Sequence, residues 1–184
     1  MKISVGSDEK TVLTDFVVEA LKRRGHTITL SGPLKGEAMG WPDVGEKIGM
    51  EVSSGRADQG IVFCWTGTGV TIAANKVPGT RAALCWDAET AKGARLWDDA
   101  NVLAMSLRST STAVAKEILD AWFSSTPSIL ESMRSSYSGP RNSIQNTSSP
   151  GKLEKQPEEH QDFPADSNAW CRALWFSGDG TKRA

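Results

Sequence analysis

Histidine is almost missing. The 184 residues hold only His26 and His160, too few imidazoles for a zinc cluster and a poor basis for a Ser-His-Asp triad. Cysteine is scarce too. Cys64, Cys85 and Cys171 match no metal-ligand spacing and, being odd in number, cannot all pair. That speaks against a disulfide framework and a metal centre, and for a reducing, cytoplasmic setting. Charge of one sign is also lacking: 21 Lys and Arg stand against 22 Asp and Glu, for a net charge of −1. No basic field is present to hold nucleic acid, and no basic run to hold a membrane surface. The opening MKISVGSDEK turns polar after a few residues, so neither a signal peptide nor a membrane span is expected there. No G-x-G-x-x-G follows the first strand, which ranks a nucleotide-binding reading last.

What is present is a strand-and-helix alternation over residues 2–123, with 39% hydrophobic residues to build a core. Lys2–Gly6 reads as a strand, followed by a helix from about Glu9 to Arg24 that stops at Gly25. Thr27–Leu30, Gly60–Cys64, Arg81–Cys85 and Val102–Met105 read as further strands. Helices are expected over Pro42–Ser54, from about Val70 to Lys76, over Ala88–Trp97 and over Ser111–Phe123. Five short apolar strands alternating with helices predict a Rossmann-like, three-layer α/β/α domain around a five-stranded parallel sheet. In such folds ligands bind beyond the carboxyl ends of the strands. Asp8, Cys64, Asp87 and Arg108 fall there and are expected to share a crevice.

The most chemical stretch is GIVFCWTGTGV, Gly60–Val70. An apolar strand ends at Cys64, a Thr/Gly turn follows, and a helix begins. Such a turn presents backbone N–H groups that attract an anion, and the helix terminus is expected to lower the pKa of the thiol. The same pattern also suits a tight turn under a buried strand-end thiol.

The segment FCWTGTGVTIAANKVPGTRAALCWD, with VGSDEK before it and DDANVLAM after it, resembles the family of ribose-5-phosphate isomerase B and galactose-6-phosphate isomerase. The resemblance spans about residues 1–123. It implies a homodimer or dimer of dimers with the active site between subunits, no cofactor and no metal, and interconversion of an aldose and a ketose through a cis-enediolate. By the resemblance Cys64 is the base that moves a proton between C1 and C2. Thr66 and the amides of Gly67, Thr68 and Gly69 hold the oxyanion, Asp8 binds sugar hydroxyls, and Asp99 and Arg108 line the substrate site.

The departures from the family pattern share a direction. Glu9 stands where the family has a phosphate-binding His, Trp41 where it has Tyr, and Trp65 where it has Gly. Trp97 and Asp98 replace the His-Asn pair whose His opens the sugar ring. Cationic or protonatable groups are lost while acids and tryptophans are gained. Indole rings stack on sugar faces, so Trp41, Trp65 and Trp97 are expected to bind a sugar other than ribose 5-phosphate. Glu9 or Asp98 is expected to take over proton transfer on oxygen. A non-catalytic sugar-binding subunit on the same fold is the alternative.

The grammar changes near Ser124. Residues 1–124 are expected to form the isomerase-like domain, and 125–184 a disordered tail rich in Ser and Pro. Arg134 and Arg141, the cations left in the region where the family closes its phosphate site, lie in this tail. So does an apolar island over 169–176.

Overall fold

The computed structural model describes residues 1–127. The expected tail from residue 128 on, with Arg134, Arg141, Cys171 and the island over 169–176, lies outside them. The strands are β1 (Lys2–Ser7), β2 (Thr27–Ser31), β3 (Gln59–Cys64), β4 (Ala82–Leu84) and β5 (Val102–Ser106). They form one parallel sheet in the order β2-β1-β3-β5-β4. The helices are α1 (Val12–Arg23), α2 (Trp41–Ser53), α3 (Thr68–Asn75), α4 (Ala88–Leu96) and α5 (Thr112–Ser124), with a short 3₁₀ turn at Gly32–Leu34.

Side-chain alternation along each strand sorts the core into two layers. Ile61 and Phe63 of β3 join Leu13, Val17, Ala91, Ile118 and Leu119 under α1, α4 and α5. Val62 and Cys64 face the other way, onto Val44, Ile48, Val52 and Val70 of α2 and α3. The expected three-layer α/β/α arrangement is thus present. Trp122 is, among the described residues, the fully buried tryptophan, with its indole N–H donating to Gln59 Oε1 at 2.8 Å and the Arg95 guanidinium over its ring.

Helix boundaries follow capping chemistry more than composition. α1 starts at Val12 rather than near Glu9, because Thr11 and Thr14 form a reciprocal capping box. The Ser7 hydroxyl holds the Glu9 carbonyl at 2.6 Å, outside the helix. Asp8 is therefore not a helix cap, whereas Asp87 is: its carboxylate accepts from the Thr90 N–H at 2.7 Å. Asn75 ends α3 and uses its amide as a surrogate strand. It donates to the Ala82 carbonyl and accepts from the Ala82 N–H, both at 2.8 Å, covering part of the β4 edge.

α2 and α3 touch through Gly45. A Cβ there would stand 2.6 Å from Ala73 Cβ and 2.7 Å from the Val70 carbonyl oxygen. Backbone rather than a flexible side chain blocks the space. Gly45→Val is expected to lower the unfolding free energy by about 3 kcal/mol, read as a fall in urea midpoint at unchanged slope.

Candidate active site

β1 and β3 are neighbours, yet the chain leaves β1 for β2 on one side and leaves β3 for β4 on the other. The connections diverge at that point, and a crevice opens beyond the strand ends. Asp8 follows β1 and Cys64 ends β3, so these two residues flank it.

The turn after Cys64 is held by the Gly67 N–H donating to the Cys64 carbonyl at 3.1 Å. Gly67 has φ +77, and a Cβ there would lie 2.5 Å from Leu84 Cδ1, so only glycine fits. Thr71 then closes on the Gly67 carbonyl through both its N–H and its hydroxyl, starting α3. This geometry turns the N–H groups of Val70, Gly67 and Thr66 toward the Cys64 sulfur.

Cys64 is only 5% exposed. The expected lowering of its pKa is not what results. Burial pushes the thiol above its ordinary value, and the nearby Asp8 charge adds to this. The amides of Val70, Gly67 and Thr66 oppose the rise without cancelling it. Asp8 is itself 8% exposed. Burial raises its carboxyl from an ordinary 3.8 to about 6, with the charge of Glu9 adding to the rise. Its Oδ1 has no hydrogen-bond partner among the described residues.

Around this pair the carboxyl edge gathers most of the other candidates. Glu9 is half-buried, with its N–H donating to the Ser7 hydroxyl at 3.2 Å. Thr66 and Thr68 are exposed on the turn, where the Thr68 N–H donates to Thr66 Oγ1 at 3.4 Å. Trp41 opens α2 and lays its indole on Gly69: a Cβ there would stand 2.9 Å from Trp41 Cε3. Trp65 is 40% exposed, and its carbonyl accepts from the Arg108 N–H at 3.0 Å, which brings exposed Arg108 to the same edge.

Trp97, Asp98 and Asp99 are not part of this gathering within one chain. α4 runs antiparallel to the strands, so the loop after it lies at their amino ends, where Ala100 and Asn101 lead into β5. Asp99 adopts φ 46 and is bound to Arg81 just before β4. Its carbonyl accepts from Arg81 Nε at 2.7 Å and its carboxylate from Arg81 Nη2 at 3.0 Å. These contacts shape the loop within one chain. Trp97 is 69% exposed and folds back over Gly93. Asp87 is a cap beyond edge strand β4, and Trp86 is 65% exposed.

Two contributors were not read from the sequence: the Val70 amide and the Trp41–Gly69 contact. The first was signalled by the helix start after the Thr/Gly turn. The second joins segments whose spacing carries no sign of contact. Among the described residues no group of three His, Cys, Asp or Glu side chains is placed to hold a metal ion, and no helix is long and apolar enough to cross a membrane.

A family model described as Ribose/Galactose Isomerase matches residues 3–136. The ribose-5-P isomerase B of Listeria innocua is 35% identical over 126 residues, covering 68% of this chain and 85% of that protein. The D-erythrulose-4-phosphate isomerase of Pectobacterium atrosepticum is 36% identical over 124 residues, covering 66% of this chain and 82% of that protein. Among solved structures, ribose-5-phosphate isomerase B of Clostridium thermocellum matches with a TM-score of 0.70 at 38% identity, over 76% of this chain and 95% of that one.

Proposed function

Because this chain belongs to the ribose/galactose isomerase family of sugar-phosphate isomerases, we propose that it interconverts an aldose and a ketose through a cis-enediolate. The substrate is a sugar or sugar phosphate other than ribose 5-phosphate. The observation that carries this reading is the Cys64 thiol beside the Asp8 carboxyl, under the amides of Thr66, Gly67 and Val70, at the β1/β3 crevice. Cys64 takes the proton from C2. The amides and the Thr66 hydroxyl stabilise the charge that develops on oxygen, so the step needs no Lewis acid. Trp41 and Trp65 present apolar faces to the sugar ring. Trp97 and Asp98 reach such a site only from a second copy of the chain, consistent with a homodimer or dimer of dimers. The buried free thiols Cys64 and Cys85 suit a reducing cytoplasm.

The test is incorporation of deuterium in heavy water, at C2 of an aldose or C1 of a ketose, followed by NMR, with ribose 5-phosphate, D-erythrulose 4-phosphate, galactose 6-phosphate and unphosphorylated ribose. Exchange into one of them supports the isomerase. The raised pKa of Cys64 favours a second reading, a non-catalytic sugar-binding subunit. That reading expects binding by tryptophan fluorescence with no exchange.

Glu9 sets the expected preference. A carboxylate about 4 Å from a phosphate at an effective dielectric near 20 costs roughly 4 kcal/mol. With Arg108 offsetting part of this, ribose 5-phosphate is expected to bind at least about a hundredfold more weakly than to a relative with His at this position, and Glu9→His to recover at least about tenfold. Calorimetric titration of both proteins checks this. Tight binding by the wild type, unmoved by Glu9→His, would show that Glu9 points away from the phosphate.

A further inference from the structure

An enediolate isomerisation moves a proton on carbon and another on oxygen. Cys64 serves the carbon. The oxygen proton needs a second carrier, and the described carboxyls are not equally placed for that task. Asp98 lies in the loop at the amino ends of the strands and would enter only from a second copy of the chain. Glu9 is half-buried one residue further along the loop, its main chain tied to the Ser7 hydroxyl. Asp8 is the buried carboxyl at the crevice. It is 8% exposed, its charge acts on the Cys64 thiol, and its Oδ1 has no partner among the described residues. An orphaned buried carboxyl oxygen is unfavourable for folding and calls for a ligand group that completes it.

We propose that Asp8 and Cys64 share one proton and act as a unit, Asp8 carrying the proton on oxygen while Cys64 carries the proton on carbon. This assignment rests on the isomerase reading above and goes beyond hydroxyl binding by Asp8.

The step balances without any further reactant. At rest the pair is a thiol and a carboxylate; transfer within the pair makes a thiolate and a carboxylic acid. The thiolate sulfur removes the proton from C2 of the aldose. The C–H electron pair becomes the C1–C2 double bond, and the carbonyl π pair moves to O1, giving the cis-enediolate, whose O1 then takes the proton from Asp8. The resulting neutral cis-enediol faces a thiol and a carboxylate. The Asp8 carboxylate then takes the proton from O2, whose electrons form the C2 carbonyl. The double-bond pair takes the thiol proton at C1. The ketose leaves behind a thiolate and an acid, which return to rest by one proton transfer. No net proton or electron is consumed.

Electrostatics keeps the pair at one negative charge. Two adjacent anions in a buried site disfavour each other, so loss of the second proton is postponed. Glu9, the other charged group acting on Asp8, strengthens this. The carboxyl titrates near 6 and the thiol above its ordinary range, which leaves a wide neutral window for the singly protonated pair.

The test compares wild type, Asp8→Asn and Asp8→Glu, with circular dichroism to verify folding. The first readout needs no sugar: iodoacetamide labelling of each cysteine against pH, resolved by mass spectrometry. Asp8→Asn is expected to speed Cys64 labelling at pH 7 by about tenfold, because the repelling charge is gone. Cys85, whose thiol is pushed up to about 12, mainly by burial, serves as the inert reference. The second readout is the pH profile of deuterium exchange with whichever sugar phosphate of the panel the wild type accepts. Asp8→Asn is expected to lower kcat at least about a hundredfold with KM little changed, and to lose the acidic limb near pH 6. Asp8→Glu should keep the limb at reduced rate. An Asp8→Asn variant with raised KM, near-normal kcat and an intact limb would make Asp8 a hydroxyl binder and overturn the proposal. So would unchanged labelling of Cys64. A wild type inert toward every sugar overturns the isomerase reading first, and the oxygen role with it, even if the labelling shift is intact.

Discussion

Cys64→Ser is expected to slow deuterium exchange at C2 by about a thousandfold, the middle of the range for losing a positioned general base. Serine keeps the shape of the side chain and the amides of Val70, Gly67 and Thr66 around it. What it loses is acidity. The Cys64 thiol is already held above its ordinary pKa by burial and by Asp8, so the thiolate is a minor form at neutral pH. An alcohol in the same cage is far harder to ionise, and proton transfer to Asp8 cannot compensate. Binding should change little, since the sugar contacts proposed for Trp41 and Trp65 are untouched by the substitution. The measurement is exchange by NMR alongside affinity by tryptophan fluorescence. Equal exchange in wild type and Cys64→Ser would leave the thiol as a buried strand end and make the Asp8 carboxylate the base on carbon.

Asp8→Asn should make the protein more stable at pH 7 while impairing exchange. The sign follows from proton linkage. Burial raises the Asp8 carboxyl from an ordinary 3.8 to about 6 in the fold. Between those values the native state holds a proton that the unfolded chain releases, so the contribution of Asp8 is most favourable below pH 3.8 and is lost as pH rises to about 6. Above that window the ionised side chain costs the fold about 3 kcal/mol. Asn removes the charge but brings its own unpartnered amide hydrogens, which returns part of the gain. A net stabilisation of about 2 kcal/mol at pH 7 is therefore expected, shrinking toward zero below pH 4. Urea titrations of both proteins at several pH values check it. A variant equally stabilised at every pH would mean that the charge of Asp8 is already neutralised in the fold. Gain of stability with loss of exchange is the pattern expected of a strained functional group.

Much of the fold was legible in the residues because strand and helix preferences are local. Ile61, Val62 and Phe63 announce a buried strand, and Cys64 followed by Thr and Gly announces its end and a helix start. Gly25 and Gly55 sit at positive φ just after α1 and α2, where a glycine stop predicts them. The limits of α1 were less legible, because the Thr11–Thr14 box and the Ser7–Glu9 contact outweighed the acidic residues before it.

The candidate site divides the same way. The Cys-Trp-Thr-Gly turn, and the family it resembles, could be read along the chain. That Asp8 meets Cys64 depends on β1 and β3 being neighbours, and that Trp41 covers Gly69 depends on α2 crossing to α3. The same topology carries Trp97, Asp98 and Asp99 to the amino ends of the strands, where Arg81 claims Asp99. Even the direction of the Cys64 pKa was beyond the sequence. A helix start after a thiol argues for a lowered value; burial and a carboxylate from a distant segment reverse it. Turns and strand ends are governed by residues a few positions apart. Proximity and desolvation are governed by how distant segments pack, and those two quantities decide what a thiol and a carboxyl can do.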